Sequence, residues 1–144
     1  MTGTIVVGVD DSETAALAAM KAAELAKALG AELCVLTAYG KFEAETIATG
    51  GEKFFITNAD SAKSTGQRSV MALRKNSPDV TIKLQASEGK PGDALVKAAD
   101  QLDADLIVVG NKRVQGFARV LGSIARDVAA HASCDVYVAH THSK

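Results

Sequence analysis

The chain has 144 residues, of which 47% are hydrophobic, 4% aromatic and 23% charged, and its formal net charge is −1. This length is typical of a single domain, here residues 1–144, whose core folds without disulfide or metal support. A nearly neutral chain lacks the basic face that nucleic-acid binding requires, and no apolar run approaches the ~20 residues of a membrane span. We therefore expect neither nucleic acid nor a membrane as a partner.

Two apolar segments flank a helical pattern at the start of the chain. Residues 4–9 (TIVVGV) are apolar without alternation, which predicts a strand covered on both faces. Asp11 or Ser12 is a suitable N-cap for the following helix, and Gly30 is a suitable C-terminal glycine. Residues 33–38 (LCVLTA) predict the second strand. Together these segments predict a right-handed βαβ unit.

The next part of the chain has weaker patterns. Residues 39–60 contain three glycines and no firm periodicity, so we interpret them as a long loop over the open end of the sheet. A second helix is predicted from about residue 59 to residue 75, with Pro78 in the segment that ends it. Residues 80–86 (VTIKLQA) alternate between apolar and polar, which is typical of an edge strand.

The last part of the chain repeats the strand and helix alternation. Pro91 suits the first turn of a third helix, in which Leu95, Ala98 and Leu102 recur at helical spacing. Three further elements follow: a buried strand over residues 105–110 (DLIVVG), a helix over 123–132 with Ile124, Val128 and Ala132 on one face, and a strand over 135–139.

This alternation predicts an α/β fold, a doubly wound five-stranded parallel sheet with helices on both faces. With the strand order 3-2-1-4-5, the winding reverses between the first and fourth strands. Ligands of such sheets bind beyond the carboxyl ends of the strands at that reversal. The first strand ends at Asp10 and the fourth at Gly110, so we expect the functional site between these two residues.

A basic segment follows the fourth strand. From Gly110 to Arg126 there are four basic residues and no acidic one, so the rest of the chain sums to −5. Gly122 and Ser123 open the next helix, where backbone N–H groups and the helix dipole suit an anion. The segment matches neither a Walker A loop nor the dinucleotide fingerprint. An ordinary loop with glycines for turn geometry remains the alternative at this point.

Two cysteines bear on the compartment. Cys34 and Cys134 lie in or beside predicted buried strands, as is typical of free thiols in a reducing environment. Residues 4–9 are too short for the apolar core of a signal peptide. We expect a cytoplasmic protein without an internal disulfide or a metal site.

Four segments resemble the universal stress protein family in their order and spacing. They are residues 5–36 (IVVGVDDSETAALAAMKAAELAKALGAELCVL), 88–99 (EGKPGDALVKAA), 104–111 (ADLIVVGN) and 121–140 (LGSIARDVAAHASCDVYVAH). The resemblance covers nearly the whole chain. It implies a UspA-like domain with the adenine nucleotide alpha-hydrolase-like fold.

The resemblance also implies a nucleotide site. The ATP-binding branch of the family carries Gly-x2-Gly-x9-Gly-Ser/Thr after the fourth strand, and Gly110, Gly122 and Ser123 match its first and closing positions. Asp10 matches the acidic residue that holds the ribose hydroxyls. The resemblance further implies Val9 and Ala38 at the adenine slot, Val109, Lys112 and Arg113 around the start of the loop, and Ile124 and Ala125 in the phosphate turn.

The motif departs from the family pattern at two points. Arg113 stands in place of the second glycine, and the spacing from Gly110 to Gly122 is one residue shorter. An arginine can bind a phosphate through its guanidinium or fill the phosphate space. The resemblance also extends to some family members in which Val-Val-Gly-Asn leads into this loop, as here, and which are associated with cyclic AMP instead.

The favoured interpretation is a stress-response binding or signalling module that takes an adenine nucleotide, ATP first and cyclic AMP as the alternative, with Mg²⁺ accompanying ATP. A slow ATP hydrolase and a dimeric scaffold without nucleotide are the other readings. We find no convergent nucleophile and base, so catalysis beyond weak ATP hydrolysis is not expected. The resemblance implies a homodimer formed through the last strand, 135–139, whose apolar edge invites pairing.

Overall fold

Five strands and four helices make up the described part of the chain. The structure, a computed structural model, describes residues 3–10, 12–40, 48–111 and 121–141, without the side chains of 48–59. The elements are β1 (Thr4–Gly8), α1 (Glu13–Leu29), β2 (Glu32–Tyr39), α2 (Ala48–Asn76), β3 (Ile82–Glu88), α3 (Pro91–Leu102), β4 (Leu106–Asn111), α4 (Ser123–His131) and β5 (Asp135–His140).

The five strands form one parallel sheet in the order β3-β2-β1-β4-β5. In the centre of the sheet, Val6 of β1 pairs with Cys34 of β2 on one side and with Ile107 of β4 on the other. The predicted fold class and strand order are confirmed. No helix among the described residues is long and apolar enough to cross a bilayer.

Each face of the sheet carries two helices. Val7, Val35 and Val108 point to the face that α1 and α2 cover, and all three are fully buried. On the opposite face α3 and α4 cover Leu36 and Ile107, which are also buried. The apolar strands without alternation are explained by this double cover, since both faces of β1, β2 and β4 must exclude water.

The ends of α1 follow the predicted local chemistry. Ser12 is the N-cap, and its Oγ accepts a hydrogen bond from the N–H of Ala15 at 3.1 Å. Gly30 adopts φ 67°, a left-handed conformation that glycine enters at little cost, and it ends the helix. These caps fix where β1 gives way to α1 and where α1 gives way to β2.

The prediction for residues 39–60 was wrong in part, because α2 begins at Ala48 rather than near residue 59. Gly50 and Gly51 lie inside the helix. A glycine costs a helix only about 1 kcal/mol relative to alanine, which is too little to end a helix that continues for many residues beyond it. Residues 41–47 lie outside the described residues.

Three smaller predictions also needed correction. β3 runs from Ile82 to Glu88, two residues later than predicted, because Val80 belongs to the turn and donates its N–H to the carbonyl of Ser77. Leu102, in the last turn of α3, is 40% exposed rather than inward. On α4, Ala125 and Val128 face the core, whereas Ile124 is 38% exposed.

Candidate functional site

A cleft opens where the winding of the sheet reverses. From β1 the chain passes to α1 on one face, and after β4 the next described helix, α4, lies on the opposite face. The segments that follow these two neighbouring strands therefore diverge, and a crevice forms between them. It lies at the carboxyl ends of β1 and β4, where the sequence predicts the site.

The cleft is lined by strand ends and by the first turns of helices. The cleft is open to solvent, and its volume is about 130 Å³, smaller than the ~300–1,000 Å³ of typical complete ligand sites. The cleft therefore suits one part of a ligand, with the remainder lying over the sheet edge. The described lining residues are Gly8, Val9, Asp10, Ser12, Thr14, Ala15, Leu36, Ala38, Pro91, Leu95, Val108, Val109, Gly110 and Ile124.

Most of the cleft wall is apolar. Val9, Leu36 and Leu95 are 7%, 1% and 3% exposed, so their positions are fixed by core packing. Ala38 and Ile124 are more accessible and stand nearer the surface. A preformed apolar wall of this kind suits a flat, weakly polar group such as a heterocyclic base.

The polar side of the cleft lies between β1 and α1. Asp10 is exposed and is the only charged residue among the described lining residues. Its Oδ1 accepts a hydrogen bond from the N–H of Ser12 at 2.8 Å. Because Ser12 also caps α1, the carboxylate of Asp10 is held at the mouth of the cleft by the start of the helix.

The N-terminus of α4 borders the cleft, since Ile124 in its first turn lines the cleft wall. Gly122 is the N-cap of α4, and no side chain caps the helix from within. The N–H of Gly122 donates to Oδ1 of Asn111 at 2.8 Å, and its carbonyl accepts from the N–H of Arg126 at 2.9 Å. The end of β4 and the start of α4 are joined by this side-chain contact.

Gly110 has a packing role as well as a predicted binding role. A Cβ atom at this position would lie 2.8 Å from Cγ2 and 2.9 Å from the backbone oxygen of Thr14, and 3.2 Å from Cγ2 of Thr141. No side chain fits there without a shift of the α1 backbone. The first glycine of the predicted motif is therefore required by the contact between β4 and α1.

Six of the predicted site residues line this one cleft: Val9, Asp10, Ala38, Val109, Gly110 and Ile124. Gly122 and Ser123 are exposed at the start of α4, beside the cleft but not in its wall. Ala125 is 1% exposed and packs in the core below α4. Lys112 and Arg113 lie outside the described residues.

Sequence reasoning missed several lining residues. Thr14 and Ala15 come from the first turn of α1, and Pro91 and Leu95 from the first two turns of α3. The rule that ligands bind beyond the strand ends could have found them, because the first turns of α1 and α3 stand at that edge of the sheet.

The cysteines lie apart from the cleft lining. Both thiols are free, Cys34 buried and Cys134 half-buried. Burial raises the pKa of the Cys34 thiol above its ordinary value, and the nearby charge of Lys83 opposes that effect. Within the described ranges, no three His, Cys, Asp or Glu side chains converge as a metal site would require.

Comparison with known proteins finds one protein family along nearly the whole chain. Residues 1–140 match the sequence model of the universal stress protein family. A universal stress protein of Mycobacterium tuberculosis (strain H37Rv) is 33% identical over 146 aligned positions, which cover 96% of each chain.

Solved structures agree with this match. A universal stress protein in complex with cAMP has a TM-score of 0.70 and 29% identity, covering 96% of this chain and 97% of that one. The universal stress protein of Archaeoglobus fulgidus in complex with dAMP has a TM-score of 0.71 and 28% identity, covering 94% and 96%. These two relatives bind adenine nucleotides.

Proposed function

The chain belongs to the universal stress protein family, and from that premise we propose that it binds an adenine nucleotide in the cleft between the ends of β1 and β4. The observation that carries the proposal is the convergence of six predicted nucleotide-binding residues on one cleft. Two similar structures contain cAMP and dAMP, which supports adenine as the base.

In this proposal the cleft and its border meet different parts of the nucleotide. The base lies against the apolar wall of Val9, Leu36 and Ala38. The carboxylate of Asp10 accepts hydrogen bonds from the ribose hydroxyls. The phosphates meet the N-terminus of α4 at Gly122 and Ser123, where the helix dipole favours an anion.

The resemblance favours ATP as the nucleotide, with cyclic AMP as the alternative. If ATP binds, Mg²⁺ accompanies its phosphates, and the hydroxyl of Ser123 is the group we propose to assist in holding it. The described lining residues include no histidine, lysine or cysteine, and Asp10 is the only carboxylate among them. We therefore propose a binding or signalling module, with slow ATP hydrolysis as the second candidate.

We also propose that the protein is a homodimer formed through β5. This strand is an edge of the sheet, and Tyr137 is 39% exposed on it, with Val136 and Val138 half-buried. An apolar edge strand is a ready surface for a second copy. The free thiols of Cys34 and Cys134 suit the reducing cytoplasm, where we propose that the protein acts.

Native mass spectrometry of freshly purified protein tests the proposal first, because a bound nucleotide adds its own mass. Calorimetric titration with adenosine, AMP, cyclic AMP and ATP then gives the affinities. Ala38→Phe fills the cleft and should abolish binding, whereas Ala72→Phe on the exposed side of α2 should not. If none of the four ligands binds wild type, or Ala38→Phe binds them normally, the proposed site is wrong.

A further inference from the structure

We propose that Asn111 disfavours additional phosphate groups at the N-terminus of α4, so that the ratio of ATP affinity to AMP affinity is lower than it would be without this side chain. This inference rests on the proposed function and deepens it. It concerns one contact of the Asn111 side chain, the hydrogen bond from the Gly122 N–H to Asn111 Oδ1 at 2.8 Å.

Both partners of this hydrogen bond are held by their surroundings. Asn111 ends β4, where the ladder pairs it with His140 of β5, and its neighbour Gly110 packs tightly against Thr14. Gly122 is held by the first backbone hydrogen bond of α4, donated by Arg126. The contact is therefore a fixed part of the site's border and not a chance meeting of two surface groups.

The contact uses a donor that a phosphate would otherwise use. The first N–H groups of a helix have no acceptor within the helix, and this is why helix N-termini bind anions. Among the described residues, the α4 N-terminus has no side-chain cap and no acidic residue in its first turn. Asn111 Oδ1 supplies an acceptor from β4 instead, and this neutral oxygen takes the Gly122 N–H.

The number of phosphate groups on the nucleotide sets how many N–H donors it requires at the N-terminus of α4. A single phosphate group can be served by the N–H groups that follow Gly122, at Ser123, Ile124 and Ala125. Each additional phosphate group adds oxygens and negative charge, and so requires more donors. To recruit the Gly122 N–H, ATP must displace Asn111 Oδ1, which lowers its affinity by the factor of one hydrogen bond, about two- to tenfold.

Two substitutions at Asn111 shift this preference in opposite directions. Asn111→Ala removes the competing oxygen, so the ratio of ATP affinity to AMP affinity should rise about two- to tenfold. Asn111→Asp keeps an acceptor for Gly122 and adds a negative charge near the phosphates, so the same ratio should fall. Adenosine has no phosphate, and its affinity should change less than twofold in both variants.

The experiment is calorimetric titration with adenosine, AMP and ATP in the presence of EDTA, so that metal binding does not enter. Asn76→Ala, an exposed asparagine at the end of α2, is the matched control and should leave the ratio unchanged. Amide hydrogen exchange at Gly122 is an independent readout: it should be faster in Asn111→Ala than in wild type, since that variant lacks the acceptor.

Three results would overturn the inference. An unchanged ratio in Asn111→Ala would show that the contact does not limit phosphate binding. An equal loss of affinity for adenosine, AMP and ATP would show that Asn111 only supports the fold. If no ligand binds wild type, the proposed function itself is wrong, and the inference is wrong with it; in the first two cases the proposed function stands.

Discussion

Oδ1 of Asp10 lies 2.8 Å from the backbone nitrogen of Ser12, and this hydrogen bond joins the end of β1 to the N-cap of α1. The carboxylate thus uses one oxygen to hold its own position at the cleft mouth. The other carboxylate oxygen, Oδ2, takes no part in this hydrogen bond. Asp10 therefore combines a structural contact with the ligand contact that we propose, and the two can be separated by substitution.

Replacing Asp10 should weaken nucleotide binding while leaving the fold intact. Asp10→Ala should cost about 1.5–3 kcal/mol of AMP affinity, the usual contribution of a hydrogen bond to a charged group. Asp10→Asn retains an oxygen for Ser12 and should keep the wild-type melting temperature. The loss should be smaller for dAMP, which lacks the 2′-hydroxyl. Calorimetry with both nucleotides checks this, and an equal loss for AMP and dAMP would contradict contact with that hydroxyl.

The fold could be predicted because its signals are local. Apolar runs without alternation mark the central strands, and Gly30 and Pro91 mark helix ends through their own backbone chemistry. The start of α2 escaped prediction because Gly50 and Gly51 disfavour helix locally without preventing it. Propensity is a weak guide wherever the rest of a long helix compensates for it.

The candidate site could be predicted only in part, for a different reason. Asp10 follows β1 and Gly110 lies near the end of β4, and the sequence predicts both at the edge of the sheet. The contacts from Asn111 to Gly122 and from Gly110 to Thr14 join residues of different elements. The sequence pattern within a strand or helix does not predict such contacts, because they depend on how the elements pack against one another.

Gly110 should not tolerate a side chain. Gly110→Ala places a methyl group against the backbone oxygen and Cγ2 of Thr14, and overpacking of this kind costs about 1–3 kcal/mol. Gly122→Ala is the comparison variant: among the described residues its added methyl meets Oδ1 of Asn111 at 3.6 Å, an ordinary contact, so its cost is limited to the lower preference of an N-cap for alanine, about 0.5 kcal/mol. Urea unfolding of both variants checks the difference. Equal stability would show that α1 shifts freely and that Gly110 is not required by packing.

The two thiols should differ in reactivity. Burial raises the pKa of both thiols above the ordinary value, so access to the reagent distinguishes them: the Cys34 thiol is buried, and the Cys134 thiol is half-buried. Ellman's reagent should modify Cys134 first and Cys34 only as fast as the protein unfolds. The variants Cys34→Ala and Cys134→Ala assign the two kinetic phases.

The pKa of Cys34 also predicts how stability depends on pH. Because the Cys34 thiol ionises more readily in the unfolded chain than in the folded protein, the free energy of unfolding should decline above about pH 9. A decline of the same slope in Cys34→Ala would contradict this origin.

A charge on the exposed edge of the sheet should break the proposed dimer. Val138→Asp places a carboxylate without a partner at the seam, and a buried charge left unpaired is strongly unfavourable. Tyr137→Asp does so at a side chain already 39% exposed, with less effect on the core of each subunit. Both variants should raise the dimer dissociation constant at least about tenfold.

The control for this experiment is Met71→Asp, which also replaces an exposed apolar side chain, 71% exposed, but on α2 and far from β5. Light scattering over a range of concentrations gives the dissociation constant, and melting curves show whether each subunit stays folded. Tyr137→Asp is the decisive variant, because Val138 also packs against the core and its substitution changes stability as well. Suppose that wild type is dimeric and that folded Tyr137→Asp has the same dissociation constant as Met71→Asp. The second copy then does not bind at β5, and the dimer must form through another surface.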